Sequence, residues 1–174
     1  GAALNMIEAS DGKPMLAGLK VVDLTTIVFG PYATQIMADF GAEVTKIEAP
    51  GGDGFRYAET PAKTAGMGPG FIALNRGKKS VLLDLTQPED AQSLRDLIAG
   101  TDIFIHNIRA EAIERLGFGY EAMRALNPSL IYMHCVGFGS GGRYDGVQAY
   151  DDVSQAASGT TSLLSRVDGN PAPR

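Results

Sequence analysis

Leu19-Lys20-Val21-Val22-Asp23-Leu24, running into Thr25-Thr26-Ile27-Val28-Phe29-Gly30-Pro31, is the stretch from which the architecture of this chain becomes legible. A short apolar run with β-branched residues, preceded by Gly18, reads as a buried strand. Gly30-Pro31 then opens a segment, Tyr32 to Phe40, that carries Ile36, Met37 and Phe40 at helical spacing. Proline just inside a helix start is well tolerated, because its missing N–H would have been unpaired there anyway. Gly41 ends that helix, and Glu43-Val44-Thr45-Lys46-Ile47-Glu48 reads as a second strand.

The same alternation continues towards the C-terminus. Residues 49–70 are rich in Gly, Pro and Ala and read as a long surface loop, which at that length is usually functional or disordered. Phe71 to Asn75 reads as a short apolar turn, and Arg76-Gly77-Lys78-Lys79 as a basic cluster on a solvated edge. Ser80 to Leu85 is a third strand. Thr86 as cap, Pro88, and the acids Glu89 and Asp90 start a helix with Leu94, Leu97 and Ile98 on its apolar face. Strand four is Asp102 to Asn107; short helices are expected at Glu111–Leu116 and Tyr120–Leu126, and strand five at Ser129–Val136. A glycine loop, Gly137 to Gly146, leads to a helix beginning near Tyr150 and is flexible enough for a lid. Short apolar strands alternating with helices imply right-handed βαβ crossovers. The expected fold is therefore α/β, an open and mostly parallel sheet with flanking helices.

Bulk properties narrow the function. A net charge of −5 argues against a nucleic-acid or anionic-membrane surface. No apolar run approaches the ~18 residues of a membrane span, and no basic segment precedes an apolar one at the start. Cys135 is the single cysteine, so no internal disulfide can form, and a reducing cytoplasm is the expected compartment. His106, His134 and Cys135 all lie in strands, read as packing residues, and offer no metal-ligand spacing. Residues 1–15 read as an N-terminal extension. Gly169-Asn170-Pro171-Ala172-Pro173-Arg174 reads as the start of a connection.

In open α/β sheets ligands bind beyond the carboxyl ends of the strands. The loop Thr25 to Pro31 is either an ordinary strand-to-helix turn or a ligand contact at a helix N-terminus. Asn107 could hydrogen-bond a ligand or cap the next turn. No dinucleotide fingerprint, P-loop, nucleophile elbow or paired carboxylates are present. The residues alone lead to an α/β domain binding a small anionic ligand.

A set of ordered motifs takes the reading further. Leu16-x-Gly18-Leu19-Lys20-Val21-Val22-Asp23-Leu24-Thr25 precedes Gly30-Pro31, and Phe40-Gly41-Ala42-Glu43-Val44-x-Lys46-Ile47-Glu48 follows. Then come Asn75-Arg76-x-Lys78-Lys79-Ser80, Ala112-x-Glu114-Arg115-Leu116-Gly117, Asn127-Pro128-x-Leu130-Ile131-Tyr132 and Gly137-Phe138-Gly139. The series ends in Ala149-Tyr150-Asp151-x-x-x-Gln155-Ala156-x-Ser158-Gly159. Together they resemble the class III coenzyme A transferase family, the group of carnitine dehydratase, bile-acid-inducible proteins and formyl-CoA transferase, over about Leu16 to Gly169. The resemblance implies transfer of CoA between an acyl-CoA and a free carboxylic acid through an aspartyl-CoA thioester, with CoA as substrate and no permanently bound cofactor. It implies a Rossmann-like large domain, of which residues 16–174 form the N-terminal part, a separate small domain, and an interlocked homodimer. By position it points to Thr26, Ile27, Val28, Phe29, Leu83, Asn107, Ile108, Arg115 and Leu116 as CoA contacts. Tyr150 and Asp151 match the family's supporting pair, and the nucleophilic aspartate is expected just past Arg174, so the chain alone should not catalyse transfer. Asp168 matches a non-catalytic acid. Ala49 and Gln148 stand where some members place an arginine and a lysine against CoA, so Arg115 and the basic cluster are expected to supply more of the phosphate neutralisation. The rival within the superfamily is an α-methylacyl-CoA racemase, which carries His-Asp where this chain has Tyr150-Asp151; a tyrosine of ordinary pKa is a poor base at neutral pH. A non-catalytic CoA- or nucleotide-binding module and a dinucleotide-dependent oxidoreductase are the readings from other classes.

Overall fold

A computed structural model describes residues 12–58 and 63–168. The chain divides into two compact units with the break after His134. The first contains β1 (Lys20–Leu24), α1 (Pro31–Asp39), β2 (Glu43–Glu48), a 3₁₀ turn (Gly54–Arg56), α2 (Pro69–Asn75), β3 (Lys79–Leu82), α3 (Pro88–Ala99), β4 (Ile103–His106), α4 (Ala110–Arg115), α5 (Tyr120–Leu126) and β5 (Ile131–His134). The second contains α6 (Asp151–Ser158) and α7 (Thr160–Asp168). The expected turn at 169–173 and residues 1–11 of the expected extension lie outside the described residues.

The five strands form one sheet in the order β3-β2-β1-β4-β5, and every pairing is parallel. That is the doubly wound order, with the chain reversing direction across the sheet between β1 and β4. Right-handed crossovers then put α1 and α2 on one face and α3, α4 and α5 on the other. On the second face Val22, Leu24, Ile47 and Phe104 pack against Leu94, Ile98, Ile113, Phe118 and Met123. This is the apolar core, and it follows from the period-2 alternation of the strands. The opposite alternation puts Asp23, Lys46 and Glu48 on the α1 face, all three at 2% exposure or less. A charged inner face at the centre of a parallel sheet is unusual.

Three local expectations are corrected. Phe71 to Asn75 belongs to a helix, not a turn: Pro69 starts it, Phe71 is buried, and Asn75 Nδ2 donates to the Phe71 carbonyl at 2.9 Å. Thr86 is not the cap of α3, because its N–H and hydroxyl both go to Asp84 Oδ1, at 3.0 and 2.6 Å. Such local turns compete with helix capping, and the helix begins one residue later with Gln87 at its cap. The expected surface loop from Ala49 is pinned down at Asp53, which is 1% exposed. Strands three and five are also shorter than their apolar runs, β3 ending at Leu82 and β5 at His134.

Candidate functional site

The reversal between β1 and β4 leaves a crevice at their carboxyl ends, walled by the loop Thr25 to Gly30 and by Asn107. Asn107 spans it. Its Oδ1 accepts from Thr26 N at 3.1 Å, and its Nδ2 donates to the carbonyls of Thr26 and Phe29, at 3.0 and 2.8 Å. The expectation that this side chain binds a ligand or caps the next turn meets a third arrangement: it shapes the loop opposite. Gly30 makes the tight exit into α1. Its φ is +112°, and a Cβ there would sit 2.5 Å from Thr25 Cγ2.

Between these two anchors Ile27 has φ +69°. A β-branched residue in the left-handed region is a true outlier, costing about 1–3 kcal/mol. Its N–H donates to both carboxylate oxygens of Asp53, at 3.1 and 3.2 Å. Ile27, Val28 and Phe29 are left exposed at the mouth of the crevice, with Phe29 60% accessible.

Beneath the loop lies a connected network of three acids and three bases. Lys78 Nζ meets Asp23 at 3.0 Å and donates to the Pro31 carbonyl and Asn75 Oδ1. Asp23 accepts from Thr25 N, Thr25 Oγ1 and Thr34 Oγ1. Lys46 Nζ donates to the Thr25 carbonyl at 2.8 Å and pairs with Asp53 at 2.9 Å. Glu48 accepts from Asp53 N, Ser80 Oγ and Arg56. Burial pushes the Glu48 carboxyl up, but the hydrogen bonds from Arg56, Ser80 and Asp53 N outweigh it and hold the pKa at about 2. Burial lowers the Lys78 pKa, with Asp23 opposing the effect. Arg56 also lies over the Phe71 ring, 3.8 Å from its centroid.

This network corrects the reading of Arg76, Lys78 and Lys79 as one solvated cluster. Lys78 is buried to 1% exposure against Asp23, Arg76 pairs with Asp39 at 2.6 Å, and Lys79 lies 4.0 Å from Glu43 on the surface. Lys78, just before β3, is turned inward and Lys79, its first residue, outward, so the three do not act together. The sequence reading placed Lys46 and Glu48 in strand two and a family motif but gave neither them nor Asp53 and Arg56 a part in the site. The signal for them was Lys46 and Glu48 at i and i+2 on either side of Ile47 in β2.

Leu83, Ile108 and Leu116 are half-buried and pack against the apolar core. Arg115 is exposed in the last turn of α4, with no ion pair among the described residues. Behind them His106 is fully buried, stacked on His134 with ring centroids 4.3 Å apart, and its Nε2 lies 2.7 Å from Tyr132 Oη. Tyr132 donates onward to the Phe118 carbonyl at 3.0 Å, so His106 Nε2 carries the proton and its Nδ1 has no partner. Burial, then the neighbouring His134, lower the His106 pKa to about 4; burial raises that of Tyr132 to about 12. These groups and the buried Cys135 fit the packing role expected for them. Within the second unit Tyr150 occupies the cap position of α6 and is exposed, and Asp151 Oδ2 accepts from Gln155 Nε2 at 2.7 Å. Gln148 Nε2 donates to Tyr150 Oη. Among the described residues no group of His, Cys, Asp and Glu could hold a metal ion, and no helix is long and apolar enough to cross a membrane. A groove of about 380 Å³ lined by Lys20, Glu43, Lys79 and Leu97 lies at the amino ends of the strands. Doubly wound sheets bind ligands at the other end.

The family model for CoA-transferase family III matches residues 16–173. The chain belongs to that family. It is 37% identical over 172 residues to the succinate–glutarate CoA-transferase of Agrobacterium fabrum, covering 95% of this chain and 43% of that protein. It is 38% identical over 164 residues to the succinyl-CoA:mesaconate CoA-transferase of Haloarcula hispanica, covering 90% and 41%. The crystal structure of a CaiB/BaiF family protein from Brucella suis superposes with a TM-score of 0.82 at 37% identity, over 86% of this chain and 40% of that one. The family III chain thus spans about two fifths of the length of these relatives. The two sequence relatives are CoA-transferases by name.

Proposed function

We propose that the protein to which this chain belongs moves CoA from an acyl-CoA to a free carboxylic acid through an aspartyl-CoA intermediate, and that this chain supplies the wall that holds CoA. The observation that carries the reading is the loop Thr26 to Phe29, fixed open at the topological switch point of a family III sheet. In the chemistry proposed, an aspartate carboxylate beyond Arg174 attacks the thioester carbonyl and expels CoA thiolate, leaving a mixed anhydride. The thiolate then attacks the aspartyl carbonyl, releasing the first acid and forming the aspartyl-CoA thioester, and the acceptor carboxylate runs the two steps in reverse. The contribution of this chain is binding. Backbone and apolar groups of Thr26, Ile27, Val28 and Phe29 would line the CoA path, with Leu83, Ile108 and Leu116 as its apolar floor. Asn107 would act through the loop it clamps, and Arg115 would face the phosphates as an exposed cation at the end of α4. Tyr150 and Asp151 would support the reacting end.

The relatives named above act on succinate, glutarate and mesaconate, which makes dicarboxylic acids the first class to test. The lone Cys135 suits a reducing cytoplasm, and an interlocked homodimer is the assembly proposed for the whole protein. The chain alone should bind CoA and turn nothing over. The test is to incubate the protein carried to its natural C-terminus with succinyl-CoA, trap with hydroxylamine or borohydride, and map the modified residue by mass spectrometry. A modified aspartate a few residues past Arg174 supports the reading. No adduct, with exchange of the α-proton of a 2-methylacyl-CoA in deuterated water, would replace it by racemase chemistry.

A further inference from the structure

Glycine is the residue that adopts positive φ without cost, and the loop after β1 uses it at Gly30, where φ is +112°. Three residues earlier it places an isoleucine at φ +69° instead. A strained conformation persists only where its surroundings over-determine it. Asn107 holds the neighbouring Thr26 and Phe29, and the group that bonds Ile27 itself is a carboxylate. Asp53, its side chain fully buried, receives Ile27 N on both oxygens at 3.1 and 3.2 Å, and Phe55 N at 2.9 Å. Lys46 balances its charge at 2.9 Å, and the same ammonium donates to the Thr25 carbonyl at 2.8 Å. Lys46 and Asp53 therefore grip the loop on either side of Thr26. A buried carboxylate and ammonium are expensive to desolvate, and an apolar pair of like volume would often be more stable. What the charged pair does that an apolar pair cannot is accept the Ile27 N–H and hold the residue in the left-handed region.

From this we infer that Asp53, backed by Lys46, is a positioning residue for CoA binding: it imposes the backbone shape that turns Ile27, Val28 and Phe29 outward. The inference rests on the CoA-binding role proposed above for that loop. Without Asp53 the left-handed Ile27 loses what over-determines it, relaxes to negative φ, and the wall of the crevice changes shape.

The test titrates free CoA calorimetrically into the protein and three variants, each checked for native circular dichroism. The first variant, Asp53→Leu with Lys46→Met, removes the clamp without leaving a buried unpaired charge. The second, Ile27→Gly, lets the loop reach φ +69° unaided. The third combines all three substitutions. With Ile27 in place, the clamp-less variant should bind CoA about tenfold more weakly than the unsubstituted protein, while in the Ile27→Gly background the same change should cost less than threefold. That non-additivity is the signature of action through the Ile27 backbone; a merely structural role for the pair would give the same fold-change in both backgrounds. Equal fold-changes, or wild-type affinity in a folded clamp-less variant, would overturn the inference while leaving the CoA reading intact. Failure of the unsubstituted protein to bind CoA would overturn the reading and the inference together. If the double substitution does not fold, Asp53→Asn, which keeps one acceptor for Ile27 N, takes its place, with an intermediate loss of affinity expected and no loss refuting.

Discussion

Lowering the pH from 7 to 5 should weaken the first unit through a single buried ring. His106 is inaccessible to solvent and packed between His134 and the core, with a pKa of about 4 in place of the ordinary 6.5. The unfolded chain takes up a proton near pH 6.5 and the folded chain does not until near pH 4. Stability that is fully present above pH 6.5 is therefore lost progressively as the pH falls towards 4. The difference amounts to about 2 kcal/mol at pH 5 and approaches about 3 kcal/mol at the low end. Against a typical domain stability of roughly 5–15 kcal/mol this is a large fraction. Below pH 4.5 a second loss begins, because Glu48, held at about 2, then takes up protons in the unfolded chain first. The assay is urea unfolding followed by circular dichroism at pH 7, 6 and 5 and fixed ionic strength, with the slope checked for constancy. His106→Leu removes the titrating ring at similar volume, and Tyr132 keeps its bond to the Phe118 carbonyl. The variant should lose most of the pH dependence between 7 and 5. A flat wild-type profile over that range, or a variant falling as steeply as wild type, would refute the reasoning.

Three further outcomes are expected. Lys78→Met should cost about 3–5 kcal/mol, because it leaves Asp23 buried without its cation; adding Asp23→Asn should recover part of that, as read by urea midpoints. Gly30→Ala should destabilise by more than about 2 kcal/mol, combining a φ of +112° with a Cβ contact of 2.5 Å to Thr25, which thermal melts would register. Arg115→Ala should weaken CoA binding several-fold, with a shallower salt dependence and no change in melting temperature, since the side chain is exposed; an unchanged dissociation constant would remove it from the site.

Much of the architecture is open to reading from the residues, because burial in a parallel sheet writes itself into short apolar runs. Val21, Val22 and Leu24, then Val44 and Ile47, then Phe104 and Ile105 read as buried strands, and the helices between them imply crossovers that bring the strands together in parallel. The ordered motifs carried the family. Local capping was less legible: Thr86 looked like a cap, yet Asp84 competed for it, and only the folded chain shows which turn won. The run Phe71 to Asn75 was too short for its period to distinguish a helix from a turn.

From the residues alone came an open, mostly parallel α/β sheet and the expectation that a ligand binds beyond the carboxyl ends of its strands. What they could not settle was the fate of the charges. Lys78 and Lys79 are adjacent in sequence, yet one is buried against Asp23 and the other lies on the surface. Asp53 sits in a glycine-rich stretch that reads as a solvent loop, and it is buried beneath Ile27. Whether a charge is solvated or buried depends on partners tens of residues away, which local pattern does not encode. Folding alone brings Asp23 to Lys78 and Lys46 to Asp53, and only there does the strained Ile27 find the carboxylate that holds it.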